Sequence, residues 1–129
     1  MSVQRVIPIY TADDLERTLA WYRDVIGCKV GETFEEEGRL VGAAVEWGDV
    51  SIYLSQDDFS QGRDRRKGVG CRVMMETAGD VDAMAAGIRE RGGELVMEPT
   101  DQPWGVRMFA VEDPDGFKIS ISTPMPADA

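Results

Sequence analysis

The chain has 129 residues, of which 43% are hydrophobic and 29% charged, and this size and composition predict a single folded domain. Its 24 acidic and 14 basic residues give a formal net charge of −10, and an acidic surface repels phosphate backbones, so we expect no nucleic-acid partner. The chain contains no His, which excludes an imidazole base, a Ser-His or Cys-His nucleophile pair and a histidine metal ligand.

The first half of the chain alternates patterns typical of strand and helix. Residues 3–10 are rich in β-branched side chains and predict a strand. Asp13 and Glu16 have the spacing of a capping box, and apolar residues at helical intervals predict a helix over 13–26 that ends at Gly27. Three predicted strands follow, over residues 29–34, 40–47 and 50–55.

A polar segment separates these elements from a second set. Residues 56–68 are dense in charge and predict a linker. Beyond the linker the patterns predict a strand over 69–76 and a helix over 80–91. The last predicted strands cover residues 94–98, 104–111 and 117–123, with a turn at 113–116.

The second half of the chain repeats the first. Asp14 aligns with Asp80, and the same offset pairs Leu15 with Val81. This predicts an α+β fold of two tandem βαβββ modules, about 3–55 and about 69–123, within one domain of residues 1–129. Pairing the two sheets would give one curved mixed sheet, with the helices outside and a concave face that can hold a ligand.

Two motifs stand at corresponding places in the two halves. One reads DLERTLAWY over residues 14–22 and continues as VIG over 25–27; the other reads PWGVRMF over 103–109 and continues as VEDPDGFKI over 111–119. Together they resemble the signatures of the vicinal oxygen chelate superfamily, which includes glyoxalase I, extradiol dioxygenases, and fosfomycin and bleomycin resistance proteins. The resemblance covers residues 3–123 and implies the duplicated fold, but this fold hosts several chemistries.

The resemblance also implies four metal-ligand positions, one on the first and one on the last strand of each module. The family typically has His, Gln or Glu there, whereas these positions fall here at Ile7, Tyr53, Cys71 or Arg72, and Ser120. An aliphatic group, neutral hydroxyls and a guanidinium are poor ligands for a divalent ion, and Cys71 alone makes no chelate. We therefore expect no metal, no other cofactor and no catalytic residue.

Candidate ligand-binding residues come from strand alternation and from aromatic side chains. Tyr53 and Ser120 stand opposite aliphatic neighbours and would line the cavity, unless they only belong to a face that tolerates polar residues. Trp47 and Trp104 would stack on a planar ligand, or fill the core or a dimer interface. Arg107 would pair with a ligand carboxylate or with an acid of the protein. The predicted ligand-binding set is Trp47, Tyr53, Trp104, Arg107, Phe109 and Ser120.

These observations favour one function and leave others open. The first hypothesis is a metal-free small-molecule-binding protein that resembles bleomycin resistance proteins and acts in antibiotic resistance. It would form a homodimer and sequester an aromatic drug or metabolite, and the negative charge favours a cationic one. The alternative is a glyoxalase-type lyase or isomerase with a rewired metal site or with metal-free acid/base chemistry by Glu46 and other carboxylates. A third hypothesis is an interaction module that binds no ligand.

Two further features bear on location. No apolar run approaches the ~18 residues of a membrane span, and the first ten residues lack the pattern of a signal peptide. Cys28 and Cys71 form no CxxC motif and predict free, buried thiols. We therefore expect a cytoplasmic protein without a membrane partner.

Overall fold

The computed structural model of the chain describes residues 2–126. They form two compact units, one that extends to Arg65 and one that begins at Arg66. Each unit contains one helical element and one four-stranded sheet of mixed pairing. The predicted α+β fold of two tandem βαβββ modules is therefore confirmed. The boundary between the units falls inside the predicted linker over 56–68.

Unit 1 contains strand β1, a helix and three further strands. Helix α1 (Leu15–Ala20) continues as a π-helical segment, Trp21–Ile26, which ends at Gly27 in the left-handed region. The strands are β1 (Ile9–Ala12), β2 (Lys29–Glu36), β3 (Arg39–Trp47) and β4 (Val50–Gln56). Their order in the sheet is β1-β4-β3-β2, with β1 parallel to β4 and the other pairs antiparallel.

Unit 2 repeats this arrangement with its own elements. Helix α2 covers Val81–Glu90, and the strands are β5 (Arg72–Glu76), β6 (Met97–Asp101), β7 (Val106–Glu112) and β8 (Lys118–Pro124). The order is β5-β8-β7-β6, again with one parallel pair, β5 with β8. Whether the two sheets join into one curved sheet stays a prediction.

The core of each unit lies between its helix and one face of its sheet. In unit 1, Leu15 on α1 and Ile52 and Leu54 on β4 are fully buried. In unit 2, Val81 on α2 and Ile119 and Ile121 on β8 are their counterparts. Each such side chain contributes about 1.5–3 kcal/mol of burial free energy. This burial fixes the strand register, because a slip of one residue would expose every core side chain.

Several predicted boundaries were wrong, because pairing decides where a strand begins. Residues 3–10 were predicted as a strand, but pairing begins at Ile9, and Val3 and Val6 are exposed. The strand predicted over 69–76 begins at Arg72, because Gly68 and Gly70 both have positive φ and turn the chain before it. The strand predicted over 94–98 is displaced to β6, and Gln56 belongs to β4 rather than to the linker.

Two predictions about caps and thiols also change. Of the N-cap candidates that the sequence offers, Asp14 caps α1, because its side chain accepts the backbone N–H of Arg17 at 3.2 Å, so the capping box predicted for Asp13 and Glu16 does not begin the helix. Both cysteines are free, but only Cys28 is buried; Cys71 is exposed because it precedes β5 and lies outside the sheet. Within residues 2–126 neither helix is long and apolar enough to cross a membrane.

Candidate functional site

The sheet of unit 1 has one face without a helix of its own unit, which we call the open face of unit 1. Tyr53 points to this face, because its neighbours Ile52 and Leu54 are buried on the helix side. The register places Ile9 on one side of Tyr53 and Ala44 on the other. The face also carries the side chains or the Cα positions of Gly31, Phe34, Gly42 and Glu46.

Small residues leave open space in the middle of this open face. A Cβ atom on Gly31 would lie 3.5 Å from the Ala44 Cβ and 3.6 Å from the Glu46 Oε1. A Cβ atom on Gly42 would lie 3.3 Å from the Phe34 Cδ2, so the Phe34 ring lies against Gly42. Around this low floor the larger apolar side chains stay accessible: Ile9 is 66% exposed, Phe34 49% and Tyr53 36%.

Unit 2 has a corresponding open face of different chemistry. One cross-strand row runs from Met74 on β5 through Ser120 and Ala110 to Met97 on β6. Met74 is 56% exposed. Where unit 1 has Tyr53 in such a row, unit 2 has Ser120, so this face offers thioethers and a hydroxyl rather than aromatic rings.

The structure places the predicted ligand-binding residues on different faces. Tyr53 and Ser120 lie on the open face of their own units, as alternation predicted. Trp104 lies in the turn before β7 and is 60% exposed. Trp47, at the end of β3, is half-buried and alternates with Glu46, which puts it on the helix side of its sheet.

Arg107 and Phe109 lie on the helix side of unit 2, away from the face of Ser120. They pair in register with Thr123 and Ile121, and Phe109 is fully buried. Alternation along β7 turns both toward α2, so they do not share the face of Ser120, and their role as ligand contacts stays a prediction. The Arg107 guanidinium instead forms two hydrogen bonds to Asp82 on α2, of 2.8 and 2.9 Å, and one of 2.8 Å to Asp101 on β6. Of the two predicted pairings of Arg107, the structure shows the one with acids of the protein.

The positions at which the family holds a divalent metal do not fit one in this chain. In unit 1, Ile7 offers no donor atom, and the strand residue that pairs with Tyr53 is Ile9. In unit 2, the strand residue that pairs with Ser120 is Met74. Cys71 and Arg72 precede Met74 in the chain, and both are exposed. Over residues 2–126 no group of three or more Cys, Asp or Glu side chains is placed to hold a metal ion. We therefore assign no chemistry to a metal at these positions.

Unit 1 also carries an acidic groove of about 1450 Å³. Six exposed carboxylates line it, from the start of α1, from the β2–β3 turn and from the segment after β4. Its one buried carboxylate, Asp57, accepts the backbone N–H of Phe59 at 2.9 Å and an ion pair from Arg65 at 3.1 Å. The groove contains none of the predicted ligand-binding residues.

Sequence reasoning missed several residues of the open face of unit 1. Phe34, Gly31 and Gly42 were not singled out, because β2 pairs irregularly with β3 and its inward face cannot be read by simple alternation. The available signal was the run of small residues at alternate positions of β3, Gly42 and Ala44, which leaves space beside the neighbouring strands.

Comparisons with known proteins agree with this geometry. Residues 5–121 match the model of a family described as the Glyoxalase/Bleomycin resistance protein/Dioxygenase superfamily. A probable lactoylglutathione lyase of Synechocystis sp. is 30% identical over 114 residues, which cover 84% of this chain and 86% of that protein.

Solved structures with the same fold extend the comparison. TnmS3, described as an antibiotic binding protein from Streptomyces sp. CB03234, is 25% identical with a TM-score of 0.72, over 96% of this chain and 98% of that one. TioX from Micromonospora sp. ML1 is 19% identical with a TM-score of 0.76, over 95% of this chain and all of that one, a likeness of fold alone.

Proposed function

We propose that this chain, which belongs to the Glyoxalase/Bleomycin resistance protein/Dioxygenase superfamily, binds and sequesters an aromatic small molecule without a catalytic metal. The observation that carries the proposal is the residue content of the family's metal positions. Ile7, Tyr53 and Ser120 supply an aliphatic group and two neutral hydroxyls, and the fourth position is Cys71 or Arg72. A site of this kind favours binding by shape and ring contact over Lewis-acid chemistry.

Exposed apolar side chains on the open face of unit 1 support binding of an aromatic compound. Tyr53 and Phe34 are partly exposed on strands either side of β3, and Ile9 extends the apolar surface beyond Tyr53. Contact between two aromatic rings contributes about 0.5–1.5 kcal/mol beyond the area that it buries. A planar ligand on this face would therefore remove apolar area from water and gain ring contacts at once.

The likeness to TnmS3 supports the same function. That protein is described as antibiotic binding, and it matches nearly the whole length of this chain. By analogy, we propose that binding here protects cells against a toxic aromatic compound, and that the protein acts in the cytoplasm. The measurement is the growth of cells with and without the expressed chain in the presence of each compound that binds.

A second candidate function is a lyase or isomerase of the glyoxalase type. It is favoured by the 30% identity to a probable lactoylglutathione lyase over 84% of this chain. Since the family's ligand positions are substituted, such an enzyme would need other groups, and Glu46 is a carboxylate of the open face of unit 1. This candidate predicts turnover of lactoylglutathione, which the first does not.

The experiment measures metal content, binding and turnover on one preparation. Protein purified without chelator is analysed for bound transition metals and titrated calorimetrically with a panel of planar antibiotics and aromatic metabolites. We expect substoichiometric metal and at least one ligand bound more tightly than millimolar. A Tyr53→Ala variant should lose about tenfold in affinity for that ligand, because one ring contact and its buried area are lost.

Controls separate the two functions. Val69→Ala removes an exposed apolar side chain in a turn of unit 2 and should leave affinity unchanged. Stoichiometric nickel, zinc, iron or manganese, together with formation or loss of lactoylglutathione, would overturn the binding proposal in favour of the lyase. A panel without any ligand tighter than millimolar would also count against it.

A further inference from the structure

We propose that the open face of unit 1 selects organic cations, with the Glu46 carboxylate as counter-charge and with Phe34 and Tyr53 as aromatic contacts beside the small residues Gly31, Gly42 and Ala44. The inference rests on the proposed function, because it names the ligand class of the same binding face. It predicts a planar ligand that carries a positive charge, rather than any aromatic compound.

The first step is the position of the Glu46 carboxylate. Ala44 and Glu46 are alternate residues of β3 and therefore point to the same face. The Glu46 Oε1 lies 3.6 Å from the place where a Cβ atom of Gly31 would stand. The carboxylate therefore leans over the glycine on the neighbouring strand and lies beside the floor that Gly31 and Ala44 form.

The second step is that this carboxylate is available to a ligand. Glu46 is half-buried, and within residues 2–126 it takes part in no ion pair and no side-chain hydrogen bond. Its partners across the strands are Lys29 and Ser51. The exposed Lys29 ammonium stands on the neighbouring strand but forms no ion pair with Glu46, so the carboxylate oxygens are left to contact a bound cation.

The third step is the pair of aromatic rings. Phe34 on β2 and Tyr53 on β4 flank β3 on either side, at two strand spacings of about 4.8 Å each. The faces of both rings carry negative electrostatic potential, and a cation over such a face is attracted to it. A planar cation is therefore held by its rings and by its charge, whereas a neutral analogue is held only by its rings.

The charge of the whole chain acts in the same direction. The formal net charge of −10 raises the local concentration of cations near the surface and speeds their encounter. This effect is screened by salt over about 10 Å at 0.1 M ionic strength. Short-range selection by Glu46 and long-range attraction by the net charge can therefore be separated by a single-site variant.

The test compares two probes of the same ring shape. N-methylacridinium carries a fixed positive charge, and acridine is used at a pH where it is uncharged. Affinities of both are measured by calorimetry for the native chain and for the variants Glu46→Gln, Glu46→Asp and Phe34→Leu. Glu90→Gln serves as the matched control, since it removes one exposed carboxylate from α2 in unit 2.

We expect the native chain to bind N-methylacridinium about tenfold more tightly than acridine, which corresponds to 1.4 kcal/mol. Glu46→Gln should abolish this preference, Glu46→Asp should keep part of it, and Glu90→Gln should keep all of it. Phe34→Leu should weaken both probes, because each loses a ring contact. Circular dichroism verifies that every variant is folded.

Two negative outcomes are distinguishable. If aromatic compounds bind but the native chain shows no preference for the cation, or if Glu46→Gln leaves the preference intact, cation selection is overturned and the binding function stands. If neither probe nor any compound of the panel binds, both proposals fail together.

Discussion

Asp113 is the buried carboxylate of the turn between β7 and β8. Its Oδ1 accepts the backbone N–H groups of Asp115 at 2.9 Å and Phe117 at 3.0 Å, and Gly116 completes the turn at φ +93°. Asp113→Ala would leave these amides without the carboxylate, so we expect the free energy of unfolding to fall by about 2 kcal/mol. Urea denaturation followed by tryptophan fluorescence measures this. Asp49→Ala, in the exposed β3–β4 turn, should cost far less.

The two thiols should differ sharply in reactivity. Burial raises the pKa of Cys28 to about 12, because the thiolate loses hydration there, whereas Cys71 is exposed. Since the thiolate is the reactive form, we expect iodoacetamide at mildly alkaline pH to modify only Cys71 in the folded chain and both thiols in urea. Mass spectrometry counts the adducts. Rapid modification of Cys28 in the folded state would contradict this assignment.

The raised pKa of Cys28 also makes the free energy of unfolding depend on pH. Below the ordinary thiol pKa, Cys28 is protonated in both the folded and the unfolded state. As pH rises from that value toward about 12, the unfolded chain loses this proton first. The contribution of Cys28 to the free energy of unfolding is therefore fully present at neutral pH. It is lost as pH rises from the ordinary thiol pKa to about 12.

At the residue scale the sequence could predict some site residues and not others. Tyr53 and Ser120 were placed correctly on their strand faces, because each is flanked by buried aliphatic residues. The face on which Arg107 and Phe109 lie follows from the register of β7 with β8, which sequence alone does not show.

The two helical elements begin with equivalent caps. Asp14 accepts one backbone N–H, from Arg17 at 3.2 Å, whereas Asp80 accepts two, from Asp82 at 3.0 Å and Ala83 at 3.1 Å. We expect Asp80→Ala to lower the free energy of unfolding by about 1 kcal/mol, and Asp14→Ala by less. Asp80→Ser should restore most of the loss, because its hydroxyl also caps. Thermal and urea unfolding of the three variants measure these changes. A larger loss of unfolding free energy for Asp14→Ala than for Asp80→Ala would contradict the expectation.

Helices were predicted more accurately than strands, for a local physical reason. The signals for α1 and α2 are caps, apolar periodicity and a terminal glycine, and all of them lie within the element itself. A strand exists only where a partner strand stands beside it. The patterns over residues 3–8 and 69–71 were therefore read as strand although no strand pairs there.

At the scale of the whole molecule, the duplication conserves the core while the open faces differ in chemistry. Leu15 and Val81 occupy equivalent buried positions after equivalent caps. On the open faces, Tyr53 corresponds to Ser120 and Ile9 to Met74 in the register of their parallel strand pairs. Packing against the helix constrains one side of each module, and the open side lacks that constraint.

Assembly is the last consequence of this architecture. Each sheet ends in edge strands, and the outer edge of β2, eight residues long, has no strand partner among residues 2–126. Long edges with unpaired backbone groups favour association with another chain. We therefore propose a homodimer in which a second copy covers such edges, with isologous contacts as in most dimers.

Light scattering coupled to gel filtration tests this proposal directly. We expect a mass twice the 14.2 kDa of one chain, and dilution should shift the population toward a single chain by mass action. Hydrogen exchange at high and low concentration locates the contact, since edge amides of β2 or β6 should be protected only when the chain is concentrated. Amides of the inner strand β4 are the control, because they are paired on both sides within the unit. A 14.2 kDa species at every concentration would exclude the dimer.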